Sequence, residues 1–126
     1  MIIGIGIDLE EIDRIQRSIH QFADRFLERI YTEQEIAFCS GRANSAERFA
    51  ARFAAKEAAF KALQGNWEDG HRWRDFEVVI KPGGAPQMVL HDVAAKIALE
   101  RGISRVHVSF SHTKTHVSAV VILEGD

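Results

Sequence analysis

Cysteine is nearly absent. Cys39 is the only one among 126 residues, so no internal disulfide can form and a reducing compartment suits the chain. It follows the apolar pair Ala37-Phe38 with no catalytic signature nearby, and reads as a small buried hydrophobe. Proline is scarce too. Pro82 and Pro86 both fall in Lys81–Pro86, which marks a turn. No apolar run approaches the ~20 residues of a membrane span, and the chain opens on a strand-like run instead of a charged leader. No membrane association and a cytoplasmic location are therefore expected. Sixteen Lys and Arg against eighteen Asp and Glu leave a formal charge of −2, which gives no support to a general nucleic-acid binder. Gly4-Ile5-Gly6 lacks the third glycine of a dinucleotide fingerprint, and neither a Walker loop nor a Gly-x-Ser-x-Gly elbow occurs. His112 and His116 are four apart across an expected turn, so they do not form a helical zinc pair. With no repeat, linker or low-complexity segment, residues 1–126 are expected to form a single domain.

Helix formers are plentiful from Phe49 to Leu63. Seven alanines (50, 51, 54, 55, 58, 59 and 62) lose no side-chain freedom in a helix, while Phe49, Phe53, Phe60 and Leu63 share one arc at about 100° per residue. Such a helix has no ordinary wet face and should be packed on more than one side. It also carries Arg52, Lys56, Glu57 and Lys61, and charges in a packed helix need partners. Two readings stay open on these residues alone. One is a core helix with charged tips in water and a Glu57–Lys61 pair; the other is a site helix offering a carboxylate to a cation and lysines to phosphates.

Before that helix, Ile2–Asp8 alternates as a strand, with Ile3, Ile5 and Ile7 on one face and Gly4, Gly6 and Asp8 on the other. Two glycines weaken a strand, so something is expected to approach its bare face closely, with Asp8 at the end of that face. Glu10 to about Ile30 reads as helix, broken near His20-Gln21, with Arg14, Arg17, Arg25 and Arg29 off its apolar stripe. Those arginines are either a solvated face or a surface for an acidic partner. Thr32-x-x-Glu35 is a capping box for a short helix through Cys39, and Asn44 or Ser45 can cap the long one. A polar loop, Asn66–Arg74, leads to strands Phe76–Ile80 and Gln87–Leu90 around the proline turn. A helix over Asp92–Arg101 stops at Gly102. Two last strands, Val106–Ser111 and Val117–Leu123, flank a turn at His112–Thr115. The fold class is α+β, with an antiparallel sheet packed on a long central helix.

Asp8 and Glu57 can converge on one divalent cation. Carboxylate oxygens suit Mg²⁺, which keeps several waters and completes its shell with substrate phosphates. Lys56, Lys61 and Arg52 add positive charge for those phosphates, and Ser109, Ser111 and His112 add hydroxyls and an imidazole. These residues allow Mg²⁺-assisted phosphate chemistry without demanding it.

At Gly4-Ile5-Gly6-Ile7-Asp8-Leu9, at Arg52-Phe53-Ala54-Ala55-Lys56-Glu57-Ala58 with Lys61-Ala62-Leu63, and at His107-Val108-Ser109-Phe110-Ser111-His112-Thr113, the chain resembles the holo-acyl-carrier-protein synthases of the 4′-phosphopantetheinyl transferase superfamily. One departure is the sequence Gln64-Gly65-Asn66-Trp67, where the family commonly has Leu-Gly-Thr-Gly after the helix. The resemblance implies Mg²⁺-dependent transfer of 4′-phosphopantetheine from coenzyme A to a serine of apo acyl carrier protein, in support of fatty acid biosynthesis. It implies metal binding by Asp8 and Glu57 and pyrophosphate contact by Lys61. Arg52, Gly84, Pro86, Ser111 and His112 are expected to frame the nucleotide, and Arg14, Arg25 and Arg29 to dock the acidic carrier. Proton removal from the serine falls to Glu57 or to metal-bound water that it positions. The resemblance also implies a homotrimer with sites between subunits. The rival readings are a non-catalytic binder of coenzyme A or carrier protein, and a Mg²⁺-dependent pyrophosphate hydrolase.

Overall fold

The computed structural model describes residues 1–126. In chain order, strand β1 (Ile2–Glu11) leads into α1 (Ile12–Phe22), α2 (Asp24–Ile30), α3 (Glu33–Cys39) and the long α4 (Ser45–Ala62). Strands β2 (Phe76–Ile80) and β3 (Pro86–Leu90), helix α5 (Asp92–Glu100), and strands β4 (Ile103–His112) and β5 (His116–Gly125) complete it. Two antiparallel sheets result, one of order β1-β5-β4 and one pairing β2 with β3. The α+β expectation holds, with α4 lying across the larger sheet.

The glycine face of β1 meets α4. A Cβ on Gly4 would strike the carbonyl of Ala62, and one on Gly6 the carbonyl of Ala58, so only glycine lets the helix backbone settle this close. The alanines complete the contact. Ala54, Ala55, Ala58, Ala59 and Ala62 are all buried. On the sheet side they meet the inward residues of β5, Val117, Ala119, Val121 and Leu123. The isoleucine face points the other way. Ile5, Ile7 and Leu9 are about two-thirds exposed, at 66%, 65% and 65%.

Several boundaries differ from the sequence reading. Strand β1 runs to Glu11 and α1 starts at Ile12, because pairing with β5 continues through Glu11↔His116. The break between α1 and α2 sits at Ala23, in a positive-φ conformation (φ 47), instead of at His20-Gln21. Pro86 opens β3 opposite Ile80, while Gly84 (φ 91) makes the turn. Strands β4 and β5 each extend beyond the expected ends. The capping box at Thr32 forms as expected: Glu35 N–H donates to Thr32 Oγ1 and Thr32 N–H to Glu35 Oε1.

Candidate active site

Strand β1 and helix α4 run antiparallel, so Asp8, two residues beyond Gly6, arrives beside the middle turns of α4. Lys61 Nζ donates to Asp8 Oδ1 at 3.0 Å and to the Ile7 carbonyl at 3.2 Å. The Asp8 side chain is only 10% exposed, and its Oδ2 is buried without a partner. This pairing replaces the Glu57–Lys61 pair allowed by helical spacing. Glu57 is half-buried on the same side of α4. Burial first, and then the negative charge of Asp8, raise its pKa; Lys61 and Arg14 pull against them. The hydrogen bond to Asp8 holds the Lys61 ammonium above its usual range.

Glu10 joins this group, and the sequence reading missed it. The signal was available: strand alternation from Gly4 through Asp8 places Glu10 on the same face, once the strand is carried past Asp8. Its pKa is raised to about 8, first by burial and then by the closeness and charge of the Asp8 carboxylate and the charge of Glu57. Three carboxyls thus crowd one end of the sheet, with Lys61 and the nearby Arg14 as the cations that answer them.

The second group lies on another flank of α4. Arg52 is five residues before Glu57, about 140° around the helix. It lines a cavity of about 410 Å³ with Gly84, Ser111 and His112, and also with Arg48, Glu47 and Phe38. Arg52 is buried with no acid partner. Its Nη1 donates to the Arg48 carbonyl at 3.1 Å, while its Nε finds no acceptor. The guanidinium carbons of Arg42, Arg48 and Arg52 stand 4.4, 5.4 and 4.8 Å from the centroid of the Phe38 ring. Three cations around one ring, none in an ion pair, make an anion-accepting corner. Arg42 and Arg48 gave no sequence signal, since they come from a loop and a first helical turn that only the fold joins. His112 Nε2 rests 3.5 Å from Glu47 Oε1.

Two expected placements fail. Pro86 faces a different cleft, with Lys81 and His107, because it starts the strand instead of finishing the turn. Lys56 cannot reach phosphates. It is fully buried, with Nζ donating to Glu35 Oε1 at 2.7 Å and to the carbonyls of Phe76 and Trp73. Arg14, Arg25 and Arg29 are exposed along α1 and α2, as a docking surface requires.

The two groups share one end of the sheet. Asp8, Ala119 and Phe110 form a single row across β1, β5 and β4, which places the acid group and the Ser111-His112 end about 10 Å apart. No three Asp, Glu, His or Cys side chains converge into a complete metal cage. Two carboxylates with one orphaned, buried oxygen nevertheless fit a hard cation that takes its remaining oxygens from water and substrate. No helix is long and apolar enough to cross a membrane.

The sequence profile of the 4′-phosphopantetheinyl transferase superfamily matches residues 4–121. A holo-[acyl-carrier-protein] synthase of Koribacter versatilis (strain Ellin345) is 55% identical over 124 residues, 98% of this chain and 99% of the relative. Among solved structures, the holo-[acyl-carrier-protein] synthase of Neisseria meningitidis superposes with a TM-score of 0.89 at 33% identity, over 98% of this chain and 99% of that one. The Helicobacter pylori synthase, solved in complex with coenzyme A, gives 0.81 at 32% identity over 95% and 99%. The chain is an enzyme of the 4′-phosphopantetheinyl transferase superfamily and belongs, within it, to the holo-[acyl-carrier-protein] synthases.

Proposed function

We propose that this enzyme transfers the 4′-phosphopantetheine arm of coenzyme A to a serine of an apo acyl carrier protein, leaving adenosine 3′,5′-bisphosphate, in support of fatty acid biosynthesis. The observation that carries the reading is the pairing of an acid group with an arginine-lined cavity at one end of the same sheet, which suits a long substrate with phosphates at both places. Arg52, Arg48 and Arg42 receive the phosphorylated ribose end, with Gly84, Ser111 and His112 around the nucleotide.

Asp8, whose Oδ2 has no protein partner, and Glu57 would hold Mg²⁺. When bound, the ion neutralises charge on the pyrophosphate and on the departing bisphosphate. Lys61 presents its ammonium from the Asp8 side to a pyrophosphate oxygen. Phosphoryl transfer asks for positioning and charge neutralisation more than for covalent help, and the Ile7 carbonyl and the Asp8 carboxylate hold the Lys61 ammonium in place beside the glycine face. Glu57 accepts the proton that the carrier serine gives up on attack. It does so directly or through a water that it positions. Arg14, beside Glu57 and Glu10, and with it Arg25 and Arg29, docks the acidic carrier so that its serine reaches this point.

The outward stripe Ile5, Ile7 and Leu9 supports a homotrimer that buries it, with active sites at subunit borders. A cytoplasmic location accords with the single free cysteine.

Incubating the protein with coenzyme A, Mg²⁺ and apo carrier protein, and weighing the carrier by mass spectrometry, tests the reading. A mass gain of one phosphopantetheine group is expected, and it should vanish for Glu57→Gln. Bisphosphate release without any carrier would favour a pyrophosphate hydrolase, and binding without mass gain a non-catalytic binder.

A further inference from the structure

The segment between α4 and β2 makes a second cavity, distinct from both groups above. It holds about 650 Å³ and is lined by Glu28, Arg29, Trp67, His71, Arg72, Trp73 and Arg74. Its floor is His71, 6% exposed, whose Nδ1 and Nε2 both lack a hydrogen-bond partner. One ring nitrogen must donate and the other must accept in a neutral imidazole, so burying both unanswered is costly unless something polar enters. The ring cannot swing out to find water. Phe60 meets it edge-on at 5.4 Å and Phe76 stacks on it at 5.8 Å.

The walls are equally fixed. Trp67 stacks on Phe60 at 4.1 Å and touches Trp73 edge-on at 4.6 Å, while Trp73 leans on Phe53 at 5.2 Å. Trp67 remains 45% exposed, which leaves part of its indole free to take a flat ring. Arg72 is tied to Asp92 at 2.8 Å and to Asp75 at 3.5 Å, and so secures the loop. Arg29 and Arg74 enter none of the ion pairs of the chain, and they outnumber Glu28 at the rim. A rigid aromatic wall, two free guanidinia and an unanswered imidazole are the elements of a preorganised small-molecule site.

We propose that this cavity binds a small planar anion, an aromatic ring carrying a phosphate or carboxylate. The ring lies on Trp67, the anion meets Arg29 and Arg74, and His71 hydrogen-bonds from below. The assignment stands apart from the transfer reaction. None of its residues is placed in the metal or nucleotide groups, although Arg29 is also one of the three arginines proposed to dock the carrier.

Both tryptophans of the chain line this cavity and neither lines the cavity of Arg52, so intrinsic fluorescence reads occupancy here, with Arg52→Ala as the control for binding there. Titration with adenosine 5′-monophosphate, and separately with indole-3-carboxylate, should quench that emission saturably, with Kd of about 1 mM or tighter. Adenosine and inorganic phosphate, each lacking one half of the recognition, should bind at least about tenfold more weakly. Arg74→Ala, an exposed change that leaves the core intact, should weaken quenching by a similar factor, as should His71→Ala. Arg52→Ala should leave it unchanged even though transfer is lost. The absence of saturable quenching by either probe would overturn the site, leaving His71 to water. Quenching unaltered by Arg74→Ala would overturn it too, as would equal quenching by adenosine.

Discussion

Lys61 reaches across 53 residues of chain to donate to one oxygen of Asp8, while the other oxygen of the same carboxylate is buried and unanswered. A carboxylate half-satisfied in this way is costly to an isolated fold, because a buried charged acceptor without a partner loses its hydration for nothing in return. Crowding by Glu10 and Glu57 adds to the cost. Under the proposed function the arrangement is a receiving site, and a cation bound there would relieve this cost.

The geometry depends on Gly6. Its replacement by alanine drives a Cβ into the Ala58 carbonyl, backbone that cannot turn aside. Gly6→Ala should destabilise the fold by about 1–3 kcal/mol or more. It should also depress transfer, since Asp8 lies two residues on. Thermal unfolding and turnover measured on the same preparation check both. An unchanged melting temperature would mean that β1 and α4 sit farther apart than described.

Lys56 and Glu35 form the buried ion pair that holds α3, α4 and β2 together, with Glu35 also accepting from the amides of Thr32 and Val78. Burial lowers the Lys56 pKa, and the neighbouring Glu35 opposes that shift. Lys56→Met strands the carboxylate and should cost about 3–5 kcal/mol by urea denaturation. The double change Lys56→Met with Glu35→Gln should recover part of that loss. A near-zero effect of the single change would place Lys56 in solvent, where it could again serve phosphates.

Cys39 has its thiol pKa pushed up to about 11 by burial, above an ordinary 9.0. Between those values the folded chain keeps a proton that the unfolded chain has released. This contribution is full below about pH 9 and is lost as pH rises through 11, on the order of 2–3 kcal/mol in all. Stability followed from pH 8.5 to 11 should fall more steeply in wild type than in Cys39→Ala. Parallel slopes would show the thiol to be solvent-like.

Arg14 is exposed yet close enough to lower the proton affinity of Glu10 and Glu57. Arg14→Glu should raise KM for the carrier severalfold and flatten its dependence on salt. An unaltered KM would return the basic faces of α1 and α2 to the role of ordinary solvated surface.

Much of this was legible in the residues. The alanine content and phenylalanine arc of α4 announced a helix packed on several sides, and the Gly4/Gly6 alternation announced a close neighbour. Asp8 followed from that alternation. Glu10 did not, because Glu10-Glu11 looks like the acidic first turn of a helix, and only pairing with β5 keeps it extended. Arg42 and Arg48 were hidden for a different reason. Their common partner is Phe38, and nothing in local spacing shows that a loop and two helices meet on one ring. Lys56 misled because helical position shows where a side chain starts and not which acid it finds, here 21 residues away.

Sharing of one ion by Asp8 and Glu57 is most directly tested by Mn²⁺ binding, followed by electron paramagnetic resonance with adenosine 3′,5′-bisphosphate present. Wild type should take up one ion per chain, while Asp8→Asn and Glu57→Gln should each weaken uptake by about tenfold or more. Equal uptake by wild type and both variants, with all three folded, would contradict it.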